Sequence, residues 1–152
     1  MYRIGADSYE IYRLGSRTYD TAIIEVKTRR KILAQEDLLP LQDSDEPLLR
    51  GTEIGVVGFP GIVKDEFCFF KGDISGYLDK PPTYLVDGVV VSGVSGGPAF
   101  DAHGHIVGFV STYIPNQVNR YTTLPGVSTL VPAAAIRYLL DNIANAVTLK
   151  KR

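Results

Sequence analysis

A serine among glycines, in Gly93-Val94-Ser95-Gly96-Gly97-Pro98, is the segment of the chain best suited to carry chemistry. Glycines at positions 93 and 96 let the backbone bend sharply, so that two N–H groups can point at one spot. Such a pair of donors can bind the oxyanion of a tetrahedral intermediate, with the Ser95 hydroxyl beside it as nucleophile. A serine between glycines also occurs in plain turns, so this motif alone leaves both interpretations open.

A single carboxylate, Asp20, stands directly before the apolar run Thr21-Ala22-Ile23-Ile24. A short apolar run rich in β-branched residues is typical of a buried strand. An aspartate at the entrance of a strand is often only a cap. The order Asp20 and then Ser95 nevertheless supplies the acid and the nucleophile that serine hydrolysis requires, which two unrelated turns would not explain.

The elements that must position these residues are predicted to be mostly β-strands. Gly and Pro are scattered between short runs rich in Val, Ile, Thr, Tyr and Phe, a texture typical of a sandwich or barrel. Residues 115–126 are polar and predict a loop-like hairpin. Near the end the period changes, because apolar residues recur at helical spacing after Pro132 and predict one amphipathic helix: Ile136, Leu139, Leu140, Ile143 and Val147.

Residues 35–50 are acidic, carry two prolines and predict a connector between two packed units. Within this connector, Asp43, Asp45 and Glu46 fit a solvated linker better than a metal site, because their spacing does not match an EF-hand loop. The one cysteine, Cys68, excludes an internal disulfide and is expected in the core of a strand.

The overall balance of the chain excludes several classes of function. Its 152 residues carry 16 basic and 17 acidic side chains, a formal net charge of -1, which argues against nucleic acid as a partner. No apolar run reaches the roughly 18 residues that a membrane span needs, so no membrane partner is expected.

With these residues in view, the chain resembles the chymotrypsin/trypsin-like serine proteases, nearer their bacterial HtrA-like branch. Residues 20–26 resemble the family's Asp-x-Ala-Leu-Leu-x-Val strand, and residues 93–100 resemble its nucleophile loop. The resemblance implies an all-β fold, a trypsin-like double β-barrel with the first barrel incomplete, plus a C-terminal α-helix. It divides the chain into a partial first barrel with the triad aspartate (1–37), a connector (38–50), a second barrel with the nucleophile (51–131) and the helix (132–149).

The resemblance also implies residue roles. Ser95 would be the nucleophile, Asp20 would orient the imidazole base, and the backbone N–H groups of Gly93 and Ser95 would form the oxyanion hole. Substrate would contact the strand Ser111, Thr112 and Tyr113, and Val89 would form the base of the primary pocket. Because Val89 is no carboxylate, a small or medium apolar residue is expected there rather than Arg or Lys.

The family's triad order is His, Asp, Ser, but no histidine precedes Asp20 in the sequence. His103 and His105 follow the nucleophile on a predicted hairpin, from which neither is expected to reach both Asp20 and Ser95. Either the chain is part of a longer protein with a histidine upstream of Met1, or it is a shortened product that has lost catalysis. A general base supplies about 10²–10⁴-fold, so the chain alone is predicted to have negligible peptidase activity.

These features predict a serine endopeptidase that hydrolyses peptide bonds through an acyl-enzyme at Ser95. The alternative is a catalytically dead trypsin-like fold that binds peptides or acts as a scaffold, and a β-rich structural or capsid protein is a third class. The expected partner is a peptide or protein substrate, and no metal or organic cofactor is implied. The sequence indicates neither the cellular compartment nor the oligomeric state.

Overall fold

The computed structural model describes residues 2–4, 7–16, 20–27, 34, 36, 38–63, 65–88, 91–120 and 122–150. Within these ranges the chain is mostly β, with one closed barrel followed by one helix, which confirms the predicted fold class. The elements in chain order are β1 Tyr2–Ile4, β2 Asp7–Ser16, β3 Thr21–Lys27, β4 Glu53–Gly58, β5 Cys68–Asp79, β6 Pro82–Asp87, β7 Pro98–Phe100, β8 Ile106–Asn119, β9 Thr122–Pro132 and α1 Ala133–Lys150.

The first three strands form an antiparallel sheet in the order β1-β2-β3. We call it the N-terminal sheet. The pairing of β2 with β3 runs to Ser16 and Thr21, so Asp20 is the last residue before the returning strand of this hairpin. The sheet therefore delivers the carboxylate from the end of a hairpin.

The remaining six strands close into an antiparallel barrel in the order β4-β5-β6-β9-β8-β7. Closure comes from β4, which pairs with β5 on one side and, through Gly55 and Val56, with β7 on the other. Alternate residues of each strand point inward, and those that do are mostly β-branched, because such side chains pack well on a pleated surface. The barrel core contains Ile54, Val56, Ile74, Val86, Val107 and Leu130, each no more than 2% exposed.

The connector lies along the outside of the barrel. Gln42 N donates to Ile106 O at 2.9 Å, and Ile106 N donates to Pro40 O at 2.7 Å. Asp43, Asp45 and Glu46 are exposed, and the Arg137 guanidinium donates to Gln42 O and to the Asp45 carboxylate. In the ranges described, no group of three acidic, His or Cys side chains is placed to hold a metal ion.

Helix α1 begins at Ala133, directly after the last residue of β9. Pro132 therefore ends the strand, where it pairs with Gly108, instead of sitting in the first helical turn. The helix buries Ala135 and Ile136 in a small second core with Val131, against which Leu41 and Phe109 pack. Residues 115–119 and 122–126 are strand residues of the long β8–β9 hairpin, and Cys68 is half-buried at the start of β5. No described helix is long and apolar enough to cross a membrane.

Candidate active site

Ser95 lies in the connection between β6 and β7, and its neighbours fix the backbone on both sides. Gly96 N donates to Val110 O at 2.7 Å, and Val110 N donates to Gly97 O at 2.9 Å. The Val94 side chain is 1% exposed and anchors the loop in the barrel core, whereas Ser95 is exposed. The loop therefore places a buried side chain, Val94, directly before the exposed Ser95. We call residues 92–97 the nucleophile loop.

The two glycines that flank Ser95 have backbone conformations that other residues rarely adopt. Gly93 has a φ of 98° and Gly96 a φ of 84°. A Cβ on Gly93 would also lie 2.6 Å from Gly61 N and 2.7 Å from Phe59 O, whereas a Cβ on Gly96 would meet nothing within 4 Å. Gly93 is therefore required both for its φ and for close backbone packing, and Gly96 for its φ alone.

The backbone N–H groups of Gly93 and Ser95 donate to no acceptor within the part of the chain that the structure describes. Both residues are exposed. Two unpaired donors two residues apart, at a sharp bend, have the chemistry that an oxyanion hole needs.

Asp20 is presented from the N-terminal sheet in a left-handed conformation, with a φ of 46°. Short polar side chains such as Asp tolerate this region better than most, although such residues still cost of order 1–3 kcal/mol when strained. The Ser111 hydroxyl donates to Asp20 Oδ2 at 2.6 Å. This bond joins the N-terminal sheet to the barrel and fixes the direction of the carboxylate.

Ser111 reaches Asp20 because β8 is bulged at that point. Val110 pairs with Leu130 and Tyr113 with Ser128, so Ser111 and Thr112 together face the single residue Thr129. Thr129 Oγ1 accepts from Thr112 N and donates to Thr112 O, each at 3.1 Å, which replaces the missing ladder bonds. A bulge of this kind redirects a side chain.

The family resemblance implies that Ser111 contacts substrate, but it does not predict the hydrogen bond from Ser111 to Asp20. Two hydroxyl residues, Ser111 and Thr112, at the end of an apolar strand were the only available signal.

One cavity of about 540 Å³ brings the candidate residues together. Its lining includes the polar residues Asp20, Ser95 and Ser111 together with apolar residues of β8, β9 and α1. The cavity is lined by Asp20, Thr21, Ser95, Gly96, Phe109, Val110, Ser111, Val131, Ile136 and Leu140. A cavity of this volume is large enough for an imidazole ring.

Neither histidine lines this cavity. His103 and His105 lie at the β7–β8 turn, where Asp101 Oδ1 accepts from His103 N at 2.8 Å and from His105 N at 3.0 Å. The His105 ring Nδ1 is 3.2 Å from Asp101 Oδ2. Partial burial raises the pKa of the Asp101 carboxyl, but these hydrogen bonds outweigh it and the pKa is lowered.

The other predicted substrate contacts are placed differently. Thr112 is exposed, and Tyr113 is half-buried with its hydroxyl accepting from Gly126 N at 2.7 Å. Neither lines the cavity that holds Ser95. Val89 lies outside the described residues. The structure therefore brings together Asp20, Ser95 and Ser111 and leaves Thr112 and Tyr113 further along the same strand.

Known proteins resemble this chain in sequence and in fold. The sequence matches the trypsin-like peptidase domain family over residues 4–109. No curated protein matches it significantly. Among solved structures it is similar to the Rv3671c protease from M. tuberculosis. The active form gives a TM-score of 0.64 and 18% identity over 91% of this chain and 60% of that chain. The inactive form gives 0.62 and 18% over 93% and 70%.

At this identity the similarity to the solved structures concerns the fold. The chain spans about two thirds of the length of these structures, since it covers 60% to 70% of them. The family match covers more than half of the chain and includes both Asp20 and Ser95. The chain belongs to the trypsin-like peptidase domain family.

Proposed function

We propose that the chain carries the nucleophile, the acid and the oxyanion hole of a serine-type endopeptidase. The observation that carries this proposal is the shared cavity, which is lined both by Ser95 and by Asp20, whose carboxylate accepts a hydrogen bond from the Ser111 hydroxyl. In addition, the N–H groups of two exposed residues, Gly93 and Ser95, donate to no acceptor within the described structure.

The proposed reaction needs an imidazole base in addition to these residues. With such a base in the cavity, Ser95 Oγ would attack the carbonyl carbon of the scissile bond as the imidazole takes its proton, and the Gly93 and Ser95 N–H groups would bind the oxyanion. The protonated imidazole would then donate to the departing amine, and water would hydrolyse the acyl-enzyme. The role of Asp20 is to orient the imidazole and to stabilise its charged form.

The substrate is proposed to be a peptide or protein segment that adds as a strand to β8. In the described structure β7 pairs with β8 only up to Phe109, and beyond it β8 pairs with β9 alone. The opposite edge from Ser111 onward is therefore open to an extended peptide. Thr112, Tyr113 and Val89 are proposed to contact the residue before the scissile bond, with a preference for small or medium apolar side chains.

None of the described residues that line the cavity is a histidine, so the cavity contains no imidazole base. Because a general base contributes about 10²–10⁴-fold, the chain by itself is expected to turn over peptides negligibly. The pairing of His105 with Asp101 outside the cavity also favours a second function, in which the same groove binds peptides without cleaving them.

A fluorophosphonate probe tests the nucleophile directly on the full chain. We expect slow modification of Ser95, located by mass spectrometry, and a faster reaction when free imidazole is added, because the cavity that Asp20 and Ser95 both line is large enough for the ring. The variant Ser95→Ala should not be labelled, and Asp20→Asn should lose most of the acceleration by imidazole. The matched control Ser75→Ala, at an exposed serine on β5 outside the nucleophile loop, should react like the parent.

The two functions give different results in this assay. No labelling of Ser95 at any imidazole concentration would contradict the peptidase proposal. Peptide binding that persists under that result would support the binding-only function instead.

A further inference from the structure

The two histidines of the chain stand side by side on the turn between β7 and β8. His103 and His105 are separated only by Gly104, and their ring centroids are 6.1 Å apart. His103 is exposed, and the His105 side chain keeps 45% of its surface exposed. Neither ring lines the cavity that contains Ser95, so neither takes part in the proposed reaction. We call His103 and His105 the histidine pair.

One carboxylate holds the backbone of both histidines. Asp101 Oδ1 accepts from His103 N at 2.8 Å and from His105 N at 3.0 Å. Asp101 N also donates to His105 O, and Gly104 N donates to Asp101 O, each at 3.1 Å. Gly104 closes the turn with a φ of 80°. The two rings are therefore carried by a backbone that is already ordered, so little conformational freedom is lost when a ligand joins them.

The second oxygen of the same carboxylate sets the position of the proton on the His105 ring. His105 Nδ1 lies 3.2 Å from Asp101 Oδ2. Because a carboxylate accepts hydrogen bonds, this contact places the proton of the neutral ring on Nδ1 and leaves the Nε2 lone pair to bind a ligand. The Asp101 side chain is only 16% exposed and is held by its two backbone bonds, so its direction is fixed. Histidines that bind metals are usually oriented by a partner of this kind.

The spacing of the rings suits one shared metal ion. Zinc–nitrogen bonds are about 2.0–2.1 Å long and a ring nitrogen lies about 1.1 Å from its centroid, so the centroids of two imidazoles on one ion are at most about 6.4 Å apart. The 6.1 Å between the centroids of the histidine pair lies within this limit. Within the described residues no third His, Cys or carboxylate completes the set, so water fills the remaining positions.

We propose that the histidine pair, oriented by Asp101, binds a divalent transition-metal ion through two imidazole nitrogens. Imidazole donors favour zinc, copper and nickel ions, whereas magnesium and calcium ions prefer oxygen ligands. The ion joins the two sides of Gly104 and so ties the turn between β7 and β8. This site is separate from the cavity that contains Ser95, and the proposal does not rest on the proposed function.

A zinc titration of the full chain without an affinity tag, followed by NMR of the histidine rings, tests the proposal. The chain has two histidines, so each ring gives its own set of C–H signals. At neutral pH we expect both sets to shift with one common half-saturation, below about 1 mM free zinc ion. Calorimetry should give one ion per chain. Magnesium ion at the same concentrations should move neither set of signals.

Variants of the turn should weaken zinc binding. His103→Ala and His105→Ala should each lower the affinity at least about tenfold, because one donor of a chelating pair is lost. Asp101→Asn keeps an oxygen for the two backbone N–H groups, but its amide donates to His105 Nδ1 and so moves the ring proton to Nε2. It should lower the affinity by about 10–100-fold. Circular dichroism checks that each variant retains its strands.

Cys68→Ser and Asp43→Asn are the matched controls. They remove the one thiol of the chain and an exposed carboxylate of the connector, which are the other kinds of side chain that could attract zinc. Both variants should bind zinc as the parent chain does.

The other outcomes overturn the proposal. They are different half-saturation concentrations for the two rings, no shift up to about 1 mM free zinc ion, or an affinity that survives His103→Ala unchanged. A loss of binding in Cys68→Ser or Asp43→Asn would place the ion elsewhere and overturn it as well. None of these outcomes bears on Ser95, since phosphonate labelling tests the proposed function separately.

Discussion

Among single residues, Gly93 and Gly96 differ in why a glycine is needed. One reason is a positive φ, and the other is close packing against a second segment. Both have a positive φ, but only Gly93 is crowded by a second segment. A substitution at either position forces a side chain into a left-handed backbone conformation, which destabilises the folded state. A substitution at Gly93 must in addition push residues 59–61 away, and this moves an N–H group of the proposed oxyanion hole.

Gly93→Ala and Gly96→Ala therefore form a matched pair. Each should lower the free energy of unfolding by about 1–2 kcal/mol through its positive φ, with a further loss for Gly93→Ala from crowding. In the presence of imidazole, Gly93→Ala should slow phosphonate labelling of Ser95 by about 10²–10³-fold, and Gly96→Ala by only a few-fold. Equal labelling rates for the two variants would contradict the role given to the Gly93 N–H group.

Asp101 is the described carboxyl whose hydrogen bonds lower its pKa below its ordinary value of 3.8. Its side chain is 16% exposed and holds the β7–β8 turn through two backbone N–H groups and the His105 ring. Because the pKa is lower in the folded chain than in the unfolded chain, the folded state binds fewer protons. The stability that the carboxylate contributes is present above about pH 4 and disappears as the pH falls through the lower folded value.

Asp101→Asn should consequently lower the free energy of unfolding by about 1 kcal/mol at pH 7. The difference from the parent should shrink toward zero as the pH falls below 3.8 in urea titrations. Asp87→Asn, at an exposed carboxylate on β6, is the control and should change stability by less than about 0.5 kcal/mol at pH 7. A difference for Asp101→Asn that grows on acidification would refute this account.

Among elements, the bulge in β8 connects strand geometry to the candidate site. Thr129 is 5% exposed and satisfies both backbone groups of Thr112 with one hydroxyl. Without that hydroxyl the bulge leaves an N–H and a C=O without their partner, and the position of Ser111 against Asp20 is no longer supported.

Thr129→Val preserves the shape of the side chain and removes the hydroxyl. It should lower the free energy of unfolding by about 1–3 kcal/mol, and it should reduce the acceleration of Ser95 labelling by imidazole, since Asp20 loses its fixed partner. Thr83→Val is the control, because the Thr83 hydroxyl makes one exposed bond to Pro81 O, and it should be near neutral. Unchanged imidazole acceleration in Thr129→Val would separate the bulge from the site.

Some of these elements follow from local sequence signals, and others do not. The barrel and the helix were predictable, because β-branched runs between turns and the helical spacing after Pro132 are local signals. The bulge was not, since it depends on the register of β8 against β9, and a register is a long-range property that neither strand encodes alone. The same holds for Ser111, whose partner Asp20 is 91 positions away. The motif around Ser95 could be recognised in the sequence, because all of its residues are adjacent.

For the whole molecule, the residues of the candidate site come from two bodies, the N-terminal sheet and the barrel, which line one cavity. The N-terminal sheet supplies Asp20, the barrel supplies Ser95 and Ser111, and α1 supplies apolar residues to the same cavity. Arg137 on α1 binds the connector, so the segment between the two bodies is attached to the barrel on its way. The proposed acid and the proposed nucleophile therefore belong to different bodies, and the bond between Ser111 and Asp20 joins the two.

The closed barrel has a consequence for the time at which the protein becomes reactive. During synthesis β4 leaves the ribosome long before β7, its closing partner, so one edge of β4 waits for Ala99 and Phe100. The nucleophile loop lies between β6 and β7 and is held from the far side by Val110, so it acquires its shape only after β8 has been made. Contacts between residues this distant in sequence form slowly. We therefore expect Ser95 to stay chemically silent in the nascent chain and to become reactive in the same step that seals the barrel.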